Sequence, residues 1–221
     1  MKEAELYPIL AKWMKRHFQC FKTKTTVGTR YSKADVVGAR DTGGENSGEI
    51  ELIVIEVKRG NEPFATASGQ AAGYSVYGNR VYLADVREKG FTPGEREIAS
   101  NLGVGLIQIR GKPPKASEML SSREHRPITR MWYEMARKLN LYQCRMCGTF
   151  VEVEDNYKNL ARDKVLKAVN EEKGFIYWHE ELAARRQKMK ITPHGPEDSY
   201  ERRVICAECV STVLAPLRKS R

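Results

Sequence analysis

Hydrophobic and polar positions in the first half of the chain repeat with periods that predict its elements. Between residues 3 and 19, apolar residues recur at three- and four-residue spacing, which predicts a helix with one apolar face. These residues are Leu6, Ile9, Leu10, Trp13, Met14 and Phe18. Residues 34–39 and 49–58 predict two strands, the second rich in β-branched side chains. The glycine-rich segment 41–48 between them predicts an antiparallel hairpin.

Helices and strands alternate after this hairpin. A run of small residues predicts a helix from Pro63 to Tyr77 that can pack closely on a sheet. A further helix is predicted from Pro93 to Leu102, with Gly103 as its stop. Short apolar runs at 81–84 and 105–109 predict two more strands. This order predicts an α/β fold, in which a mixed central sheet is flanked by helices.

The segment 111–115, Gly-Lys-Pro-Pro-Lys, interrupts the pattern and predicts a linker. It divides the chain into an α/β domain, residues 1–112, and a second domain, residues 113–221. Helices are expected at 128–141, 155–169 and 178–188, and the cysteines of this half predict a metal site. The second domain is therefore expected to be small, helical and zinc-ribbon-like.

Charge adds a hypothesis about partners, because the net charge is +10 and the isoelectric point is near 9.4. Seven basic residues and no acidic residue lie between Lys12 and Lys33, and a second basic stretch runs from Arg110 to Arg145. Together the two stretches could bind the phosphates of a nucleic acid, although either alone is equally typical of a solvated helix face.

The chain shows no sign of a membrane or secretory destination. No apolar run approaches the roughly 20 residues that span a bilayer. The first residues carry acids directly after Lys2 and lack the apolar core of a signal peptide. A cytoplasmic protein without a membrane partner is expected.

Three charged residues on the predicted hairpin suggest a catalytic site. Asp35 begins the first strand, and Glu56 and Lys58 lie two residues apart near the end of the second, so the latter two share a face. Leu52 and Val54 precede them on that face, where a charge pair is costly unless it is used. Carboxylates from adjacent strands can hold Mg²⁺ or Mn²⁺, and a neighbouring lysine can stabilise charge during phosphodiester hydrolysis.

This arrangement resembles the PD-(D/E)XK nuclease superfamily, which includes restriction endonucleases and archaeal Holliday-junction resolvases. The matching residues are Ala34-Asp35 on one strand and Glu56-Val57-Lys58 on the next, with alanine where the family name has proline. The resemblance covers residues 1 to about 110 and implies a restriction-endonuclease-like core.

Roles for individual residues follow from that resemblance. It implies that Asp35, Glu56 and the backbone carbonyl of Val57 bind the active-site metal, and that Lys58 is the catalytic lysine. The family often adds a glutamate from the first helix, for which Glu5 is the first candidate and Glu3 the second. Gln70, followed by Tyr74, resembles the glutamine that many members place beside the lysine.

Four of the five cysteines form two C-x-x-C pairs, which predict a metal site. Four thiolates suit a closed tetrahedral structural zinc site. The 58 residues between the pairs exceed the usual ribbon spacing, so the intervening segment is expected to be an insertion. An iron–sulfur cluster is the main alternative, and a redox pair is disfavoured because neither pair follows a strand in a βαβ pattern. The four are Cys144, Cys147, Cys206 and Cys209; Cys20 is expected to be a small buried hydrophobe.

These features predict a Mg²⁺-dependent deoxyribonuclease, in the first instance an endonuclease, whose partner is DNA. A homodimer is compatible with the resemblance, because many relatives dimerise to cut both strands. The main alternative is a non-catalytic nucleic-acid-binding protein with the same fold and a zinc module. A third reading is a zinc-stapled scaffold, in which the charge distribution and the triad are accidents.

Overall fold

The computed structural model describes residues 2–29, 32–43, 49–144, 147–152, 175–178, 202–206 and 209. The chain divides into two compact units, Met1–Leu139 and Asn140–Arg221. The predicted boundary after residue 112 therefore differs from the observed one. The reason is that the segment after residue 112 continues the sheet of the first unit rather than starting a new domain.

A six-stranded mixed sheet forms the centre of the first unit, with its strands in sequence order. Strands β3, β4 and β5 run parallel, while β1, β2 and β6 are antiparallel to their neighbours. The strands are β1 (Lys22–Gly28), β2 (Lys33–Asp41), β3 (Ile50–Lys58), β4 (Arg80–Val86), β5 (Gly105–Arg110) and β6 (Lys115–Leu120). This confirms the predicted α/β class with a central sheet flanked by helices.

Helices cover both faces of the sheet. The first helical segment is a 3-10 helix, Glu3–Glu5, followed by α1 (Tyr7–His17). α1 packs its apolar stripe against one sheet face, and this core includes Ile53, Ile55 and Val57 of β3. The opposite parity of β3 faces α2 (Phe64–Gly73), which continues as a 3-10 helix, Tyr74–Val76. α3 (Pro93–Leu102) packs against α2 and β5.

The bounds of α3 match the prediction because its end signals are local. Thr92 accepts a hydrogen bond from the backbone N–H of Glu95, and the Glu95 carboxylate accepts one from the Thr92 N–H, which forms a capping box. Pro93 occupies the first turn, and Gly103 ends the helix with a φ of 74°.

Two edge strands were absent from the sequence prediction. β1 is mostly polar, with lysines and threonines, so it lacks the apolar signal of a strand. It pairs with β2, and Thr26, which lies between the paired residues Thr25 and Val27, has a φ of 59°. β6 follows the predicted linker, which is instead the turn of a β5–β6 hairpin.

The second unit is described in part. β7 (Leu141–Gln143) and β8 (Phe150–Glu152) form a hairpin, and β9 (Phe175–Trp178) pairs with β10 (Arg202–Ile205). The helix expected at 128–141 is α4 (Thr129–Lys138), which belongs to the first unit.

The two other helices predicted for this half have different outcomes. The helix expected at 178–188 is wrong at its first residue, because Trp178 is paired in β9, and its remaining residues lie outside the described part. The helix expected at 155–169 lies wholly outside it. In the described ranges, no helix combines the length and apolarity needed to cross a bilayer.

Polar side chains are buried at the end of the sheet where the parallel strands finish. Lys58, Asp85 and Gln108 are neighbours in register across β3, β4 and β5, and each is less than a tenth exposed. Ligands of open α/β sheets bind at this carboxyl edge. At this edge lie the start of β2, which is antiparallel, and the ends of β3 and β4.

Candidate functional site

The carboxylates of Asp35 and Glu56 come from adjacent antiparallel strands. The register of β2 and β3 runs to the pair Val36 and Ile55, so Asp35 and Glu56 are the next residues on the two strands. Both are buried, with exposed fractions of 8% and 6%. Two carboxylates are thus held close together at the edge of an apolar core, where an unpaired charge is costly.

The backbone of β3 also holds Asp35. Its Oδ2 accepts a hydrogen bond of 2.8 Å from the N–H of Val57. Val57 buries its side chain in the core on the α1 side. The residue whose carbonyl the resemblance implicates in metal binding therefore also orients the aspartate through its amide.

A tyrosine hydroxyl donates to each carboxylate. Tyr7 on α1 donates to Asp35 Oδ1 at 2.6 Å, and Tyr74, at the end of α2, donates to Glu56 Oε2 at 2.9 Å. Burial and the neighbouring carboxylates raise the pKa of both phenols, so both stay protonated as donors. The sequence prediction did not include Tyr7. The sequence feature that could have indicated Tyr7 is its hydroxyl group, which lies at the border of the apolar face of the first helix.

Lys58 lies between two carboxylates. Its Nζ is 2.8 Å from Glu56 Oε1 and 3.3 Å from Glu62 Oε2. Burial lowers the pKa of Lys58, but hydrogen bonds and charges from Glu56 and Glu62 outweigh it, so the pKa is raised and the amine is held as ammonium. Glu62 follows Lys58 by four residues and was not singled out from the sequence.

The pKa of Glu56 is raised above its ordinary value. Burial is the largest cause, and the charge of Asp35 adds to it, whereas hydrogen bonds from Lys58 and Tyr74 act in the opposite direction. Lys58 is the cation that contacts Glu56 within the part of the chain that the structure describes. A further cation near these carboxylates would favour the ionised form of Glu56.

Of the two glutamates considered at the N-terminus, the structure brings Glu3 to the cluster. Tyr7 donates to Glu3 Oε1 at 3.1 Å as well as to Asp35, so the two acids share one hydroxyl. Glu5, the first candidate, is exposed and accepts a hydrogen bond from the Lys2 backbone N–H. Glu3 is therefore the N-terminal glutamate that shares a hydroxyl with Asp35.

Gln70 lies on the flank of the α2 stripe that packs against the sheet. That stripe comprises Ala67, Ala71 and Tyr74, with Ser68 beside it. Gln70 itself is exposed, and the partners of Lys58 Nζ in the structure are Glu56 and Glu62. The end of α2 thus contributes Tyr74 to the cluster by direct contact, and Gln70 is exposed on the flank of the same helix.

Asp85 organises the turn that follows Lys58. It is 1% exposed, accepts a hydrogen bond of 2.6 Å from the Gly60 N–H, and pairs with Arg87 Nε at 2.7 Å. Gly60 has a φ of 76°, and a Cβ at this position would lie 2.7 Å from the Val86 carbonyl oxygen. The turn that carries Glu62 is therefore fixed against β4. An aspartate directly after the apolar run of β4 was the available sequence signal.

The second unit contains a four-cysteine cluster formed by Cys144, Cys147, Cys206 and Cys209, as the two C-x-x-C pairs predict. The four sulfurs lie within 4.8 Å of one another. Cys144 and Cys209 are 3.8 Å apart at Sγ, and Cys147 and Cys206 are 3.7 Å apart. Tetrahedral zinc with Zn–S bonds of about 2.3 Å separates its sulfurs by about 3.8 Å.

Local backbone geometry supports this cluster. After β7, the Gly148 N–H donates to the Cys144 carbonyl in a turn where Gly148 has a φ of 81°. The Cys206 N–H donates to Cys144 Sγ at 3.3 Å. Burial and the neighbouring sulfurs raise the pKa of Cys209, and burial raises the pKa of Cys206, whereas hydrogen bonds to Thr149 lower the pKa of Cys147. Binding of a cation would favour the thiolate form of each. The cluster could bind one metal ion, consistent with structural zinc.

Cys20, the fifth cysteine, is buried in the first unit and belongs to the core on the α1 side. Burial raises the pKa of its thiol to about 12. This confirms the prediction of a small buried hydrophobe.

Comparison with known proteins adds little to this geometry. No protein-family model matches the chain, and no curated protein matches it. A protein of unknown function from Silicibacter pomeroyi, SPO1766, is similar in structure with a TM-score of 0.45 and 21% identity, over 63% of this chain and 84% of that one. A similarity of this size shows no family relationship.

Proposed function

We propose that this protein is a metal-dependent DNA nuclease that hydrolyses phosphodiester bonds with a site of the PD-(D/E)XK type. The observation that carries the proposal is the arrangement of Asp35, Glu56 and Lys58 at one edge of the sheet. Two buried carboxylates stand on adjacent strands, and a buried lysine lies 2.8 Å from one of them. On this proposal, the sheet of the first unit is a restriction-endonuclease-like core.

The residues fit a magnesium or manganese ion by their chemistry. Asp35, Glu56 and the Val57 carbonyl offer the oxygen ligands that these ions prefer. The raised pKa of Glu56 and its repulsion by Asp35 are the signs of a carboxylate pair that lacks sufficient positive charge. When bound, such an ion would polarise the phosphate and make the attacking water more acidic.

Lys58 would act on the phosphate directly. Its ammonium is held by Glu56 and Glu62, so its direction is fixed before substrate arrives. Preorganised positive charge stabilises the negative charge that builds up on the phosphoryl oxygens in the transition state. Tyr7 and Tyr74 would keep the two carboxylates in place, and exposed Gln70 would stand beside the site.

The remaining features fit DNA as the partner. The chain is strongly basic, and the four-cysteine cluster would provide a structural zinc module that helps select the substrate. We propose endonuclease cleavage, with a homodimer as the form that cuts both strands. A non-catalytic DNA-binding protein is the alternative, and the assay below separates the two.

The test is cleavage of labelled single-stranded, duplex and branched DNA with Mg²⁺ or Mn²⁺. Wild type is compared with Asp35→Asn and Lys58→Met, which remove charge with little change in size. Glu97→Gln, an exposed substitution on α3, is the control. We expect metal-dependent cleavage by wild type and the control, and a loss of at least about 100-fold in the other two. Binding without cleavage by wild type under every condition would establish the non-catalytic alternative.

A further inference from the structure

The second basic stretch of the sequence is divided by the fold between opposite ends of the sheet. Arg110 ends β5 and Lys115 begins β6, so both lie at the carboxyl edge with Lys58. Arg123 is tied to the other end, where it donates to the carbonyls of Ser100 and Asn101 at the end of α3. A charge cluster that looks continuous in sequence therefore has one part beside the candidate active site and one part away from it.

Strand register also places Arg110 and Lys115 on the sheet face of the catalytic lysine. Lys58 is in register with Asp85, and Asp85 with Gln108, so these three share a face. Arg110 follows Gln108 by two residues and pairs with Lys115, which puts both basic residues on the same face. The alternate residues, Ile109 and Ala116, pack on the α1 side.

This part of the face is open. Arg110, Lys115 and Ser117 are all exposed, whereas the same face of β3 and β4 is buried under α2. Lys112, in the turn between β5 and β6, is also exposed. The hairpin tip thus presents positive charge on an uncovered extension of the surface that bears the candidate active site.

Spacing relates the hairpin tip to the phosphate to be cut. β5 and β6 are two and three strands from β3, or about 10 and 14 Å at the usual strand separation of about 4.8 Å. Measured along the axis of a duplex, with a rise of about 3.4 Å per nucleotide of each strand, this is about three to four nucleotides. One polynucleotide strand could therefore contact Lys58 and the hairpin tip together.

From this geometry we infer that Arg110 and Lys115 form a phosphate-binding pair that holds the DNA backbone a few nucleotides from the scissile phosphate. The inference rests on the proposed function and specifies where its substrate lies. It assigns binding of the DNA backbone to the tip of the β5–β6 hairpin rather than to the whole second basic stretch.

The test compares two charge-matched double variants in DNA binding. Arg110→Gln/Lys115→Gln removes the proposed pair. Arg126→Gln/Arg130→Gln removes two exposed charges from the segment that contacts the opposite end of the first unit, where the Ile128 N–H bonds the Val76 carbonyl. Affinity for a 20-nucleotide strand and its duplex is measured without added Mg²⁺ or Mn²⁺ over a range of salt concentrations, so that cutting is prevented while the zinc site stays intact.

For the hairpin variant we expect the slope of log affinity against log salt on duplex to fall by about 1.8, since each phosphate contact contributes about 0.9. The control should keep the wild-type slope. An equal effect of both variants, or none of the hairpin variant, would overturn the inference while leaving a nuclease possible. If wild type binds through the hairpin but never cuts with Mg²⁺, the proposed function alone is overturned. If wild type binds neither the single strand nor the duplex, both the inference and the proposed function are overturned.

Discussion

Oδ2 of Asp35 lies 2.8 Å from the backbone nitrogen of Val57, so a side chain of β2 closes a hydrogen bond with the strand that carries Glu56 and Lys58. The aspartate has a structural task besides any catalytic one. Substitutions at this position must therefore separate the loss of charge from the loss of a hydrogen-bond acceptor.

Asp35→Asn should remove metal binding while largely keeping the fold, because the amide oxygen can still accept from Val57. Asp35→Ala should lower the free energy of unfolding by about 1–3 kcal/mol, since it leaves the buried Val57 N–H without a partner. Chemical denaturation gives the stabilities and calorimetry with Mn²⁺ gives the binding. Strong Mn²⁺ binding by Asp35→Asn would refute its assignment as a ligand.

Tyr74→Phe should shift the pH dependence of metal binding. The Tyr74 hydroxyl donates to Glu56 and lowers its pKa against the effect of burial, so its removal raises that pKa further. A proton is then held to higher pH, and Mn²⁺ binding should be lost at a higher pH as the solution is acidified. Mn²⁺ affinity measured between pH 5 and about 8 tests this shift, a range set by the usual titration of perturbed carboxylates.

Tyr77→Phe is the matched control for that experiment. Tyr77 is also buried, but its hydroxyl has no hydrogen-bond partner in the described part of the chain. Its pH profile should match that of wild type. If Tyr74→Phe also leaves the profile unchanged, the hydroxyl does not influence Glu56.

Gly60→Ala and Gly69→Ala should change stability in opposite directions. At Gly60 the φ is 76° and a new Cβ would meet the Val86 carbonyl, so we expect a loss of about 1–3 kcal/mol. Gly69 lies within α2 with open space around it, so alanine should add about 0.5–1 kcal/mol. Thermal unfolding measures both. A neutral or stabilising effect of Gly60→Ala would show that the turn after Lys58 is not held as described, and a destabilising effect of Gly69→Ala would show that this part of α2 is more crowded than described.

The purified protein should contain one zinc ion per chain, bound by the four-cysteine cluster. Elemental analysis should find zinc in wild type and in Cys20→Ser, because Cys20 lies in the core of the first unit, and none in Cys206→Ser. Metal removal should destabilise the second unit, since structural zinc contributes directly to folding. Iron with inorganic sulfide and a visible absorption band would show the iron–sulfur alternative instead.

Local signals explain which elements were predictable. α3 matched because Thr92, Pro93, Glu95 and Gly103 specify both ends within the segment itself. β3 matched because it is buried on both faces and reads as a continuous apolar run. β1 and β6 are edge strands with partly exposed faces, and their pairing depends on β2 and β5, so their own sequences carry little signal.

The residues of the candidate site also divide into those that the sequence identified and those that it did not. Asp35, Glu56 and Lys58 could be linked because strand parity and order are visible in sequence. Tyr7 contacts Asp35, which lies 28 residues further along the chain. Asp85 contacts Gly60 from the neighbouring parallel strand. Neither contact could be predicted from the spacing of the residues in the sequence. Glu3 contacts Tyr7, four residues further on, whereas Glu5 in the 3-10 helix accepts a hydrogen bond from the Lys2 backbone N–H, and the sequence alone did not distinguish these two arrangements.

Thr26 has a consequence for the evolution of this protein. A β-branched residue with a φ of 59° is rarely found, and such a conformation costs about 1–3 kcal/mol. In β1, Thr26 lies between Thr25 and Val27, whose partners Val36 and Ala34 flank Asp35 in β2. A protein tolerates mutations only as far as its free energy of unfolding can offset them. The strained backbone at Thr26 lowers that free energy, and it does so in the strand next to the one that carries Asp35. Variants that relieve the backbone strain at Thr26 would tolerate a wider range of further substitutions. Any loss of function in such variants would arise first through Asp35.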